Sequence, residues 1–400
     1  MVQTIPIFIK NISIYAENEM VKSGSILLMD GKIEAIYYSD NQPKSLPDHV
    51  QIIDGNKLNA IPGFIDGHIH GANGADVMDA TEEALDTMAS VLPKEGTTSF
   101  LATTITQSPE NIDQALRNVA QYSSKAGQAE IIGVHLEGPF IEKKKAGAQP
   151  MEYIVEPNED VFERWQAISG NCIKTITMAP ELDPEGVFIK RLADAGINVS
   201  AGHTNAGFDT IKKAVEYGVS QLTHLCNAMN GIHHRDIGAV GAAFKLEDLR
   251  AELIADGIHV TDEMLQMIYQ NMGSERLILI TDAMRAKCLP PGGYELGGQP
   301  VNVTSDRALL ANGTLAGSIL KMYEGAQQML HFSDVTIDNI IEMTAKNPAK
   351  QIHMYESKGS IAIGKDADIL LVDDNLSIKY TICRGVVAYK EDTKDGIIKS

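Results

Sequence analysis

The stretch Ile61–Gly71, IPGFIDGHIHG, ends in two histidines one residue apart, His68 and His70. Side chains at i and i+2 of a strand point to one face. The spacing therefore predicts Phe64, Asp66, His68 and His70 on one face and Ile65 and Ile69 on the other. Two imidazoles roughly 7 Å apart along a strand can grip one metal ion, with Asp66 near enough to orient a ring. Residues of the same chemistry recur downstream: Glu137 in HLEGPF, His203 in SAGHT, His224 in THLCNAM, His259 in ADGIHV and Asp282 in LILITDAM. Each alone has a plainer use: His203 in a turn, His224 as a hydrogen-bonded core histidine, Glu137 and Asp282 as helix caps. Together they place five of the 11 histidines and two acids at the ends of apolar runs.

Imidazoles with a carboxylate suit Zn²⁺ or Fe²⁺ better than the oxygen-only cages of Mg²⁺ or Ca²⁺. A catalytic site of that kind keeps one position open for water and lowers its pKa towards about 7. A carboxylate beside that water can take its proton and pass it to a leaving group, and Asp282 is the candidate. Four histidines (68, 70, 203, 224) and two acids are enough for one or two ions per chain.

Those residues need a scaffold that brings strand ends together. Eight strand-like runs alternate with helical patterns between residues 61 and 349: AIPGFIDGHIH, TTSFLATT, IIGVHLEG, IKTITMAP, INVSAGHT, SQLTHLCNA, AELIADGIHV and LILITDAM. Helical stretches such as TEEALDTMASVLPKEG and FDTIKKAVEYG end at glycine, as helix C-termini often do. This pattern predicts an α/β fold, a (β/α)8 TIM-like barrel, whose strand C-termini converge on one mouth. A doubly wound sheet is the rival, but no G-x-G-x-x-G follows the first strand. The ends of the chain are β-rich, and neither has strands enough for a stable sheet alone. They are expected to meet in one small β-sandwich domain, 1–60 plus 350–400, around a catalytic barrel of 61–349. Two stretches break the pattern. NGIHHRDIGAVGAAFKLED reads as a loop after the sixth strand, and AKCLPPGGYELGGQPVNVTSDRALLANGTLAGS as a hairpin-like excursion after the eighth.

The chain has 400 residues, 44% of them apolar, and a net charge of −19. Such acidity argues against nucleic acid as a partner and means that an anionic ligand needs local cations. Four cysteines without a C-x-x-C pair suit a reducing compartment. With no signal-peptide pattern and no apolar run long enough to span a membrane, the expected location is the cytoplasm, with no membrane partner.

These pieces resemble the amidohydrolase superfamily: PGFIDGHIHG, the inserted barrel, and GKDADILLVD near the C-terminus. HLEGPF, SAGHT, THLCNAM, ADGIHV, TDAM and GTLAGS, in order and spacing over essentially the whole chain, look like its N-acetylglucosamine-6-phosphate deacetylase family. The resemblance implies a substrate that is a small phosphorylated amino sugar, whose acetamide is hydrolysed. It implies Glu137, His203 and His224 as ligands of the metal common to the family, with Asp282 as catalytic acid/base. It implies Asn227 and Ala228 on the sugar phosphate. Asp256 to His259, and Leu315, Ala316 and Gly317, would line the pocket. Arg235 would bind phosphate across a homodimer interface, reaching the neighbouring site. Having both His68 and His70 makes two metals possible. Beside Ala148, Gln149 stands where some relatives carry a histidine, and it cannot carry charge. Two rivals remain. A dihydroorotase-like amidohydrolase would use a carboxylated lysine where this chain has Glu137, and a non-catalytic relative would have gaps in the ligand set.

Overall fold

The computed structural model describes residues 5–332 and 334–392. Eight parallel strands stand side by side in chain order: Phe64–Ile69, Thr97–Thr104, Glu130–Glu137, Ile173–Met178, Asn198–Ala201, Val219–Leu222, Arg250–Ile254 and Leu277–Ile280. A helix of eight or more residues follows each, from Glu82–Val91 after the first to Met322–Leu330 after the eighth. Their starts are written in the sequence. Thr81, Ser108 and Asn158 each accept a hydrogen bond from a backbone N–H of the first turn they cap. Their apolar faces pack on the outside of the strands in one large core, in which Trp165, Phe64 and Phe100 are the largest fully buried side chains.

The barrel closes at its mouth, through the segments that carry the candidate ligands. The Asp282 N–H donates to the His68 carbonyl at 2.8 Å, and the His70 N–H to the Ala283 carbonyl at 2.9 Å. Just below, the Asp66 carboxylate accepts from the Thr281 hydroxyl at 2.5 Å and from the backbone N–H groups of Thr281 and His68, each at 3.3 Å. Asp66 thus ties the first strand to the eighth rather than orienting an imidazole. The opposite end is plugged by Ala349 and Ile352, which pack on Ile65, Leu101 and Ile132.

The first predicted run is two strands. Asn59–Pro62 pairs antiparallel with Ile369–Val372, and Phe64–Ile69 begins the barrel. Gly63 is the pivot: a Cβ there would lie 2.2 Å from Thr98, a contact no other residue type could make. Nor does the barrel strand alternate evenly. Its pairing slips between Phe64 and Ile65 and between Asp66 and Ile69. Phe64 and Ile69 therefore both join the outer core, while Ile65 joins the cluster at the bottom. Such irregularities re-aim side chains.

Strands from both ends of the chain pair in one sheet. They form an eight-stranded sheet in the order Val386–Lys390, Ile378–Cys383, Ile369–Val372, Asn59–Pro62, Ile7–Tyr15, Met20–Met29 and Lys32–Tyr38, with Gln51–Asp54 also on Ile7–Tyr15. Pairing is continuous, and Ile9, Ile14, Ile26, Leu28, Ile369, Leu371 and Ile382 share one core. The segment after the sixth barrel strand is only partly a loop, because Gly238–Lys245 is a helix. Its small residues from Gly238 to Ala243 are buried. The excursion after the eighth strand is three-stranded rather than a hairpin (Gly292–Leu296, Gln299–Val303, Ala308–Leu310) and has its own core of Leu296, Val301, Val303 and Ala308.

Candidate metal centre and active-site cavity

Glu137 is the last residue of the third barrel strand and the hub of the mouth. Its Oε1 lies 3.2 Å from Nε2 of His203, 3.2 Å from Nε2 of His224 and 3.5 Å from Nε2 of His68. Its Oε2 lies 3.2 Å from Nε2 of His70 and accepts from the Gln149 amide at 2.7 Å. Asp282 closes the other side, with Oδ1 3.3 Å from Nε2 of His68 and 3.4 Å from Nε2 of His70. His203, His224 and Asp282 follow their strands by two residues each and have φ of 46°, 33° and 48°. Left-handed backbone at three non-glycine residues is unusual, and it turns each side chain inward at the rim.

The donor set fits a divalent cation. His203 gives its Nδ1 to the Lys145 carbonyl at 2.8 Å, which fixes the tautomer and leaves an Nε2 lone pair facing inward. That lone pair meets a carboxylate oxygen at 3.2 Å and Nε2 of His224 at 3.1 Å. Three metal-ligating atoms so close are an arrangement that a cation between them would satisfy. Nε2 of His68 is also buried and has no hydrogen-bond partner among the described residues. The residues form two triads, Glu137–His203–His224 and His68–His70–Asp282.

Electrostatics say the same. Burial is the largest influence on His70 and opposes its charged form, yet Asp282 and Glu137 overcome it and raise its pKa to about 9. Burial likewise pushes Asp282 up, but His68 and His70 outweigh it and bring the carboxyl down to about 2. Glu137 is held well below the usual carboxylate range, against its own burial, by His68, His203 and His224. Two buried carboxylates ringed by imidazoles draw positive charge into the site.

Beside this cluster lies a cavity of about 350 Å³, lined among others by His70, Glu137, His203, His224, Asp282, Ala148, Gln149, Asn227, Ala228, His259, Leu315 and Gly317. His68 lies beneath it, fully buried. Asp256 does not line it. Its carboxylate instead accepts from His259 Nδ1 at 2.7 Å and from the N–H groups of Ile258 and His259 at 2.8 Å, which sets the His259 ring. Ala316 is buried in the core of the excursion, and Arg235 is on an exposed loop, 2.7 Å from His234, outside its own chain's cavity. The Gln149 amide is used at both ends, since its oxygen accepts from the Thr106 N–H at 2.8 Å.

Lys144 and Lys145 line the cavity, although a run of three lysines reads first as a solvated face. Glu252 is a residue the sequence reading passed over: its Oε2 is 3.1 Å from His68 Nδ1. Its one signal was an acid in the strand AELIA, otherwise apolar and small.

A sequence model of the amidohydrolase family matches residues 59–388. The N-acetylglucosamine-6-phosphate deacetylase of Bacillus subtilis (strain 168) is 46% identical over 98% of this chain and 99% of its own length. That of Lysinibacillus sphaericus is 42% identical over 95% of this chain and 97% of its own. The crystal structure of the Pasteurella multocida N-acetylglucosamine-6-phosphate deacetylase superposes with a TM-score of 0.88 at 29% identity, covering 97% of this chain and 100% of the other. Fold, mouth and near-full-length likeness agree, and the chain belongs to the amidohydrolase family.

Proposed function

We propose that the protein is a metal-dependent hydrolase that cleaves the acetamide of N-acetyl-D-glucosamine 6-phosphate, giving D-glucosamine 6-phosphate and acetate, in amino-sugar catabolism and recycling. The observation that carries this reading is the Glu137-centred ring of four histidines and Asp282, opening onto a cavity with hydrogen-bonding walls. The identities of the deacetylase relatives support the substrate.

His203, His224 and Glu137 would hold one ion, and His68, His70 and Asp282 a second. Bound Zn²⁺ or Fe²⁺ supplies a polarised acetyl carbonyl and an acidified water. Asp282, held ionised at the rim, takes the water's proton and delivers it to the amide nitrogen, which leaves as an amine only when protonated. Glu137 lies between the two ligand triads, with Oε1 near His203 and Oε2 near His70. Asp256 holds His259 by Nδ1, leaving its Nε2 for a substrate group in the cavity. Asn227 and Ala228 meet the sugar phosphate, with Leu315 and Gly317 closing the wall. Lys144 adds a cation that an acidic protein must supply locally.

The proposed assembly is a homodimer in the cytoplasm, with Arg235 crossing to the neighbouring phosphate. Its partner is a small-molecule substrate rather than nucleic acid or membrane. Among the described residues no helix is long and apolar enough to cross a membrane. The proposed division is a barrel of 61–349 and a β domain of 1–60 plus 350–400. The reading is tested by measuring acetate release from N-acetylglucosamine 6-phosphate, its galactose-configured epimer and the unphosphorylated sugar. Rapid release from the first, and slow release without phosphate, is expected; no release from any of the three would refute it.

A further inference from the structure

We propose that Glu252 is a positioning residue of the metal centre. It holds His68 by Nδ1 from beneath, so that Nε2 is presented to the ion. Glu252 can play this part only if the ion proposed above binds.

Glu252 lies mid-strand in Arg250–Ile254 and is 2% exposed. Among the described residues its one ion-pair partner is His68, at 3.1 Å. Its two oxygens have only accepting work. Oε1 accepts from the Gln221 amide at 2.7 Å, and Oε2 accepts from the His224 N–H at 3.3 Å and faces His68 Nδ1. One carboxylate therefore grips the ring of one candidate ligand and the backbone of another, from opposite triads.

The direction of the hydrogen bonds is set farther down. Gln351 donates to the Asn198 oxygen at 2.7 Å, and Asn198 donates to the Gln221 oxygen at 3.1 Å. Gln221 must then present its NH₂ to Glu252. A relay of three amides on the barrel floor ends on a group that can only accept. An amide at position 252 would set its own NH₂ against that of Gln221 or against the Nδ1–H of His68.

The third candidate ligand trio, His68–His135–Glu252, is explained by the same network. Both His135 nitrogens face threonine hydroxyls, Thr103 at 3.4 Å and Thr177 at 2.7 Å. Its ring packs edge-on against His68 with centroids 4.4 Å apart and blocks rotation from that side. An imidazole bonded through Nδ1 to Glu252 has only Nε2 left for a metal, and that atom faces Glu137 and Asp282.

The test compares Zn²⁺ binding to metal-stripped wild-type and Glu252→Gln protein by chelator competition, with visible spectra of the Co²⁺ forms. The expected result is affinity weaker by roughly 10- to 100-fold at the site holding His68, as is usual when such an outer partner is lost, with an altered cobalt spectrum. Should that variant fail to fold, histidine-selective ¹⁵N spectra of the zinc-loaded wild type decide, with His68 assigned by its loss in His68→Asn. His68 is expected to keep its proton on Nδ1 and to bind zinc through Nε2. Equal affinity with an unchanged cobalt spectrum, or zinc on Nδ1, overturns the role of Glu252. Wild-type protein that holds an ion but none at His68 overturns this role alone; wild-type protein that holds no ion at all overturns the metal reading itself, and this role with it.

Discussion

At the scale of single residues, the chemistry rests on groups that burial alone would neutralise. His68 and His70 face Asp282 and bring its carboxyl down to about 2 against its burial; in the proposed mechanism this carboxylate would carry a proton from water to the leaving nitrogen. Asp282→Asn keeps the shape and removes that capacity. Its kcat should fall by at least about a hundredfold, with substrate affinity largely kept; metal content measured on the same sample separates proton transfer from lost ligation. A variant with full metal and near-normal kcat would move the role to His259.

His70 makes a second prediction, this time about pH. In metal-free protein its pKa is lifted from 6.5 to about 9, so the folded state holds this proton more tightly than the unfolded chain. The resulting stability is fully present below about 6.5 and lost as pH rises through about 9. A metal must displace the same proton, so its affinity increases over that window. Melting curves of stripped and zinc-loaded protein across it should diverge as pH rises, and His70→Asn should remove most of the divergence. The candidate ligands are legible in the sequence because each ends an apolar run. Glu252 is not, because nothing local distinguishes an acid inside the barrel from one on its surface.

At the scale of elements, strand ends do the positioning, and alternation of sequence pattern was enough to find all eight barrel strands. Their limits were harder. Gly63 splits the first run between two sheets, and pairing slips within Phe64–Ile69 break the simple two-residue alternation. Both depend on contacts with residues distant in sequence, Thr98 in the first case. The helix Gly238–Lys245 looks like loop in the sequence because its small residues carry little periodic signal; tertiary packing buries them.

The loop before that helix carries Arg235, which stands outside its own cavity. If it serves a neighbour's phosphate, Arg235→Ala should lower kcat/KM for the phosphorylated sugar by about two orders of magnitude, the loss of a charged contact of about 2–3 kcal/mol. Turnover of the unphosphorylated sugar should barely change. Mixing Arg235→Ala with Asp282→Asn subunits should regain activity through hybrid dimers. Equal losses on both substrates would make Arg235 structural.

At the scale of the whole molecule, the β unit of the chain ends is bound to the barrel by a buried cation. Lys358 Nζ lies 2.6 Å from Glu130, 3.0 Å from Asp366 and 2.7 Å from Asp368. Glu130 begins a barrel strand, while Asp366 and Asp368 lead into the terminal sheet. The same three acids lie close enough together to hold a metal ion, but the Lys358 ammonium already sits among them. Lys358→Met would leave three close carboxylates without their cation and should cost about 3–5 kcal/mol of stability, read by urea denaturation. A change under about 1 kcal/mol would mean that water takes over the charge.

The central claim is that the Glu137-centred ring is a metal centre that hydrolyses an acetamide. The most direct measurement strips the protein with a chelator, returns Zn²⁺ stepwise, and follows bound metal and acetate release from N-acetylglucosamine 6-phosphate in one sample. Activity should be absent in the stripped protein, rise in step with occupancy and saturate at one or two ions per chain; with both His203 and His224 replaced, activity should not return and bound metal should fall by one ion per chain. Full acetate release from metal-free protein, or full occupancy without any release, would contradict the account.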